Sequence, residues 1–188
     1  IGYGSLVSNT TASNSTAVGK NALGANTTGS YQTAVGENAL ASATTQGQLT
    51  AIGRNALGVN TTGAQNTAVG YATLPANTTG SSNTALGYAA LTTNSTGSNN
   101  TAIGRDALYY GNGNNNTAVG NEALENNTAS ANTAVGSHAL TANTTGARNT
   151  GVGYETMKSL TTGADNYGFG YGALEDLTTG NGNVSLGD

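Results

Sequence analysis

The side chains that could carry proton transfer, nucleophilic attack or metal binding are sparse in this sequence. It has one His, nine acidic residues, five basic residues and no Cys among 188. His138 lies two residues after Gly136, a place held in other parts of the chain by Asn21, Asn38, Asp106, Glu122 and Glu155. A place so variable reads as solvent-facing, and no nucleophile, base and orienting group can be assembled around it. The acidic residues fall at scattered positions, with no recurring Asp of the kind that Gly-rich calcium repeats use. The run GNGNNN at 111–116 lacks the strand, Lys and Ser/Thr context of a phosphate loop. Absence of Cys removes disulfides and thiolate ligands. The expectation is no catalytic residue, no cofactor and no metal, hence no enzyme.

Recognition chemistry is better represented. One place, directly after a recurring Gly, is occupied by Tyr3, Lys20, Glu37, Arg54, Tyr71, Tyr88, Arg105, Asn121, Ser137, Tyr154 and Tyr171. Its free variation in charge marks it as exposed. Tyr and Arg are enriched where proteins recognise partners, so Tyr3, Lys20, Arg54, Tyr71, Tyr88, Arg105, Tyr154 and Tyr171 form a candidate contact stripe. The plainer alternative is that their stems cover the edges of neighbouring repeats. The recurring NTT and NST triplets are formal glycosylation sequons. Their regular return is explained more simply by Asn residues stacked in register at turns.

What must position these residues is a repeat. The Gly of TAVG falls at 2, 19, 36, 53, 70, 87, 104, 120, 136, 153, 170 and 187, in steps of 17 with two of 16. Fixed periods of this size signal a solenoid. The residue before that Gly is always apolar: Val18, Val35, Ile52, Val69, Leu86, Ile103, Val119, Val135, Val152 and Phe169, with Ile1 and Leu186 at the ends. Four residues after the Gly stand Leu23, Leu40, Leu57, Leu74, Leu91, Leu108, Leu124, Leu140, Met157 and Leu174, with Leu6 before them. Two columns without a polar exception are both expected to be buried core ladders. Ala17, Ala34 and Ala51 precede the first column and Ala22, Ala39 and Ala56 the second, leaving room for close approach. Thr-Ala-Val is β-branched at alternate positions, which favours a strand with Thr and Val on one face. Gly, Asn and Thr recur too often for helix. NTTG, with both shortened repeats and the insertion-like ATTQGQL, marks the turn side, where Asn and Gly tolerate positive φ.

Composition agrees. Only 7% of residues are charged, 29 are Gly, and there is one Phe, one Met, one Pro and no Trp, so order must come from backbone ladders more than from large side chains. The net charge of −4 gives no basic footprint for nucleic acid. No apolar run reaches the ~18 residues of a membrane helix, so no membrane contact by this segment is expected. The chain starts at the tail of one motif, Ile1-Gly2, and stops inside another, so residues 1–188 read as a single repeat array cut from a longer fibrous protein.

The predicted fold is all-β: a parallel β-solenoid, or β-roll, of about eleven coils stacked at about 4.8 Å. Burying one large apolar side chain is worth about 1.5–3 kcal/mol, and ordering one residue costs roughly 1.5 kcal/mol. A lone coil with two such side chains is therefore marginal, and a core shared between chains is expected. The motif N-T-A-V/I-G-x-x-A-L resembles the NSVAIG head repeats of trimeric autotransporter adhesins (YadA-like) and repeats of phage tail fibres. That resemblance implies a left-handed β-roll, a homotrimer, and an extracellular place on a cell surface or virion. It also implies a stiff stalk or head supporting attachment, with a host-surface protein or glycan as possible receptor. The coil here is longer than the family's and adds NTTG. Two other readings remain open: an ice-binding solenoid presenting Thr ladders, and a sheath or surface-layer component.

Overall fold

The computed structural model describes residues 1–187. Eleven short strands follow one another: β1 Thr16–Val18, β2 Gln32–Val35, β3 Leu49–Ile52, β4 Thr67–Val69, β5 Thr84–Leu86, β6 Thr101–Ile103, β7 Thr117–Val119, β8 Thr133–Val135, β9 Thr150–Val152, β10 Tyr167–Phe169 and β11 Val184–Leu186. They form one parallel sheet in sequence order. Pairing is in register across the repeat, Thr67 on Thr84, Ala68 on Ala85, Val69 on Leu86. No helix occurs among the described residues. The fold is a parallel β-solenoid of about ten turns, and each motif adds one turn.

The remaining sides of each coil are hydrogen-bonded too. Leu74 N–H donates to Ala90 O at 3.0 Å, and Thr61 and Thr62 N–H both donate to Thr78 O at 3.0 and 2.9 Å. Each coil thus satisfies the backbone of its neighbour.

Inside lie the second apolar column and the alanines. Leu23, Leu40, Leu57, Leu74, Leu91, Leu108, Leu124, Leu140 and Met157 are fully buried, and Leu174 is partly buried against them. The first column departs from expectation. Val18, Ile52, Leu86, Val135 and Phe169 are exposed, at 39%, 40%, 45%, 36% and 39%. Val35, Val69, Ile103, Val119 and Val152 are half-buried. A three-residue strand turns one side chain inward, and that residue is Ala: Ala34, Ala51, Ala68, Ala85, Ala102, Ala118 and Ala134 have no exposed surface. The interior opposite the Leu column is too narrow for anything larger. Thr and Val share a face as expected, but that face points out.

Two buried amide ladders complete the interior. In the first, the Asn before each of strands β4 to β10 accepts from the next coil: Asn83 N–H to Asn66 Oδ1 at 2.9 Å, Asn116 N–H to Asn100 Oδ1 at 2.9 Å, Asn149 N–H to Asn132 Oδ1 at 2.8 Å. Its own Nδ2 donates to a turn carbonyl, as Asn100 does to Gly113 O at 2.8 Å. The second ladder is the Asn of NTTG. Asn77 Nδ2 reaches Asn60 Oδ1 at 2.7 Å and Gly80 O at 2.9 Å. Burial closes the sequon asparagines of this ladder, Asn26, Asn60, Asn77, Asn94 and Asn143, to glycosylation in the folded chain, whereas Asn9 and Asn14 near the start are exposed.

Three buried side-chain oxygens lack a partner: Gln32 Oε1, Asn94 Oδ1 and Asn143 Oδ1. Each sits where a ladder ends. The next coil carries Leu49, Gly111 and Leu160 in those columns, and none of these has a side-chain donor.

Besides the marker Gly, each full coil places three residues at positive φ. One is the buried Leu itself, for example Leu74 at 50° and Leu91 at 53°; the others are typified by Asn38 at 57° and Gln65 at 59°. The NTTG Gly is not among them. It is required because a Cβ there, at Gly80 for example, would run into the Gly97 carbonyl oxygen.

Candidate contact surfaces

Two long surfaces run the height of the rod. The first is the outward face of the sheet. Nine strands in a row, β1 to β9, present a Thr, and their hydroxyls (Thr67, Thr84 and Thr101 in the middle) find no hydrogen-bond partner among the described residues. Beside them runs the aliphatic column. Ten interstrand steps of about 4.8 Å by a width of about 10 Å give a strip of roughly 500 Å², the size of the largest apolar patch on ordinary monomers. It carries no charged side chain.

The second is the edge after the marker Gly. All eight members of the contact stripe are exposed, from Tyr71 at 43% to Tyr3 at 85%. The coil spacing makes neighbours interact. Tyr71 stacks on Tyr88 with ring centroids 5.4 Å apart, and Tyr154 on Tyr171 at the same distance. Arg54 lies over Tyr71, 5.8 Å from its centroid, and donates to its hydroxyl at 3.2 Å. Glu37 bridges Arg54 at 3.2 Å and Lys20 at 3.8 Å. The stripe therefore satisfies much of its own stacking and charge, as the packing alternative requires. On the outer surface near the N-terminal end, running across successive coils, lie two shallow hollows of about 390 and 350 Å³ that share Asn38 and Ala41.

His138 is partly covered. Its Nδ1 lies 3.2 Å from Glu122 and its ring meets Tyr154 edge-on. The residue two after the marker Gly is not freely exposed, because it packs on its equivalents one coil away, as Asn38 bonds Asn21 and Asn55; Asn21, Asn38, Asp106, Glu122, His138 and Glu155 all share this positive-φ place. Asp106 there is buried. Next to this group, Glu125 is held above the usual carboxylate range by burial first, then by Glu122 and Asp106. No group of three or more His, Cys, Asp or Glu able to hold a metal occurs among the described residues.

Arg148 and Asp165 form a two-pronged pair across adjacent coils, Nε to Oδ1 at 2.7 Å and Nη2 to Oδ2 at 2.8 Å. Hydrogen bonding to Arg148, then its charge, lowers the Asp165 pKa. A depressed carboxylate contributes stability above its unfolded pKa and loses it as pH falls through the folded value. The NMR titration of Asp165 is expected to have its midpoint below that of an ordinary Asp, and Arg148→Ala to return it to the ordinary range. Both side chains stay open to solvent, 61% and 46% exposed, which keeps the stability effect small.

Sequence reasoning overlooked the outward sheet face as a surface. The signal was present in the Thr column, whose polarity argues against burial of everything on its side. Comparison of the chain with protein-family models, curated proteins and solved structures returned no match. Its class rests on its own geometry: a parallel β-solenoid with one uncharged Thr-and-aliphatic face and one Tyr- and Arg-bearing edge.

Proposed function

We propose that the chain is a structural module of an extracellular fibre, in which copies pack side by side through the Thr-and-aliphatic face. The observation that carries this reading is the aliphatic column lying outside a coil whose interior is already filled. Such a strip gains by leaving water. A partner must match a repeat of about 4.8 Å over ten steps, and a second copy of the rod has that period by construction. The lack of charge on the strip removes any repulsion between copies. A homotrimer about one axis gives each strip a shared core and leaves every Tyr- and Arg-bearing edge outside. There it is available to a cell-surface protein or glycan. The setting is a cell surface or virion, and the chain supplies length and stiffness, with no catalysis.

Because the chain has no Cys, single cysteines test the packing cleanly. Val119→Cys is expected to form interchain disulfides on oxidation, and Ser137→Cys, on the edge after the marker Gly, none. Equal cross-linking at both would sink the proposal.

One observation favours a second reading. Free Thr hydroxyls in register on a flat, uncharged face are suited to ordering water, as an ice-binding surface does. Thermal hysteresis in a folded single-chain species would favour it over the fibre. Regular lattices in electron micrographs would favour a sheath or surface layer.

A further inference from the structure

The turn of the coil that starts at β6 is one residue short, and a side chain fills the gap. In full-length coils the N–H groups of Thr61, Thr62 and Gly63 converge on the carbonyl oxygen of Thr78 in the next coil. In the matching place, Ser95, Thr96 and Gly97 N–H converge on Asn112 Oδ1 at 3.0, 3.0 and 3.4 Å. The hydroxyls of Ser95 and Thr96 also reach it, at 3.3 and 3.4 Å. One amide oxygen thus faces five donors. Asn112 is exposed; the Gly113 that follows it is buried, and its N–H donates no hydrogen bond to any described residue.

We infer that Asn112 is a built-in self-modification site, deamidating to aspartate in the folded rod. The Gly113 nitrogen attacks Asn112 Cγ and gives up its proton to solvent. Charge develops on Oδ1, where the five donors already point, as in a preorganised oxyanion hole. Collapse expels ammonia and closes a succinimide. Water then opens the ring, so the balance is one water in and one ammonia out. The donors polarise the former side-chain carbonyl, which directs water to it and gives aspartate over isoaspartate. The product carboxylate sits in a ring of N–H and O–H groups suited to an anion, so the modification tightens this coil.

The chain contains its own control. Gly-Asn-Gly-Asn occurs at 111–114 and again at 180–183. At the second copy, Asn181 Oδ1 accepts only from Ala164 N–H, at 2.7 Å, and the Gly182 nitrogen is engaged, donating to Ala164 O at 3.1 Å.

The test is to incubate the folded chain near neutral pH and quantify aspartate and isoaspartate at 112 and 181 by peptide mass spectrometry. The folded chain is expected to convert Asn112 roughly tenfold or more faster than Asn181, chiefly to aspartate. In denaturant the two rates are expected to converge and isoaspartate to dominate. Conversion at Asn112 no faster than at Asn181 in the folded chain would overturn the inference. So would an unchanged rate in a folded Ser95→Ala/Thr96→Ala variant. Asn112→Asp made directly is expected to melt no lower than the parent; a lower midpoint would contradict the anion-holding ring.

Discussion

Gly87→Ala is expected to unfold the middle of the rod. Gly87 has φ of 132°, which L residues rarely adopt, and a Cβ there would run into the carbonyl oxygen of Gly104 in the next coil. Every marker Gly from Gly2 to Gly153 meets the next coil in this way; at Gly19 the added atom would lie 2.5 Å from Gly36 O. The neighbouring atom is backbone, and Gly104 is itself held at coil spacing by its N–H donating to Leu86 O at 2.8 Å, so relief requires separating two coils. Backbone strain and a broken ladder together place the cost above about 4 kcal/mol, among the largest single-residue effects. Chemical denaturation is the measurement. A loss below about 1 kcal/mol, within the range of ordinary surface substitutions, would mean that the coils are not stacked as described.

Asn100→Leu is expected to cost nearly as much while keeping the γ-branched shape. Its side chain donates to Gly113 O at 2.8 Å and accepts from Asn116 N–H at 2.9 Å. Removing it leaves a buried carbonyl and a buried N–H unpaired, at about 1–3 kcal/mol each. Leu49 in the same column, buried like Asn100, shows that the cavity accepts this shape. It stands next to Asn66, where the ladder starts, so no Asn–Asn step is broken there except that Gln32 Oε1 goes unpaired. An Asn100→Leu variant as stable as the parent would show that shape, not the amide chain, orders the interior.

The period, the strand at Thr-Ala-Val and the buried Leu column could be read from residue types alone, because each recurs with few departures over the whole chain. The direction of the strand face could not be read from the aliphatic column by itself. Alternation puts Thr and Val on one side but does not say which side is inside, and constancy of Val was given more weight than the polarity of Thr. The interior proves to take Ala. Positive φ at Leu74 and its equivalents was also invisible, since Leu has no preference for that conformation. The companion column did carry the signal, in Asn21, Asn38, Asn55 and Asp106, residue types that tolerate it. The run at 111–116 reads as a damaged turn in sequence. Only stacking reveals Asn112 Oδ1 standing where a carbonyl is missing.

The residues of the contact stripe lie on the outside. Its stacked tyrosines and the Lys20–Glu37–Arg54 chain arise from the coil spacing, which brings every such residue within reach of its equivalents one coil away.

The measurement that bears most directly on packing through the sheet face is the solution molar mass of the intact chain by light scattering. The account predicts about three times the single-chain mass of 18.4 kDa. A folded species at the single-chain mass would contradict it, leaving the Thr-and-aliphatic face open to water.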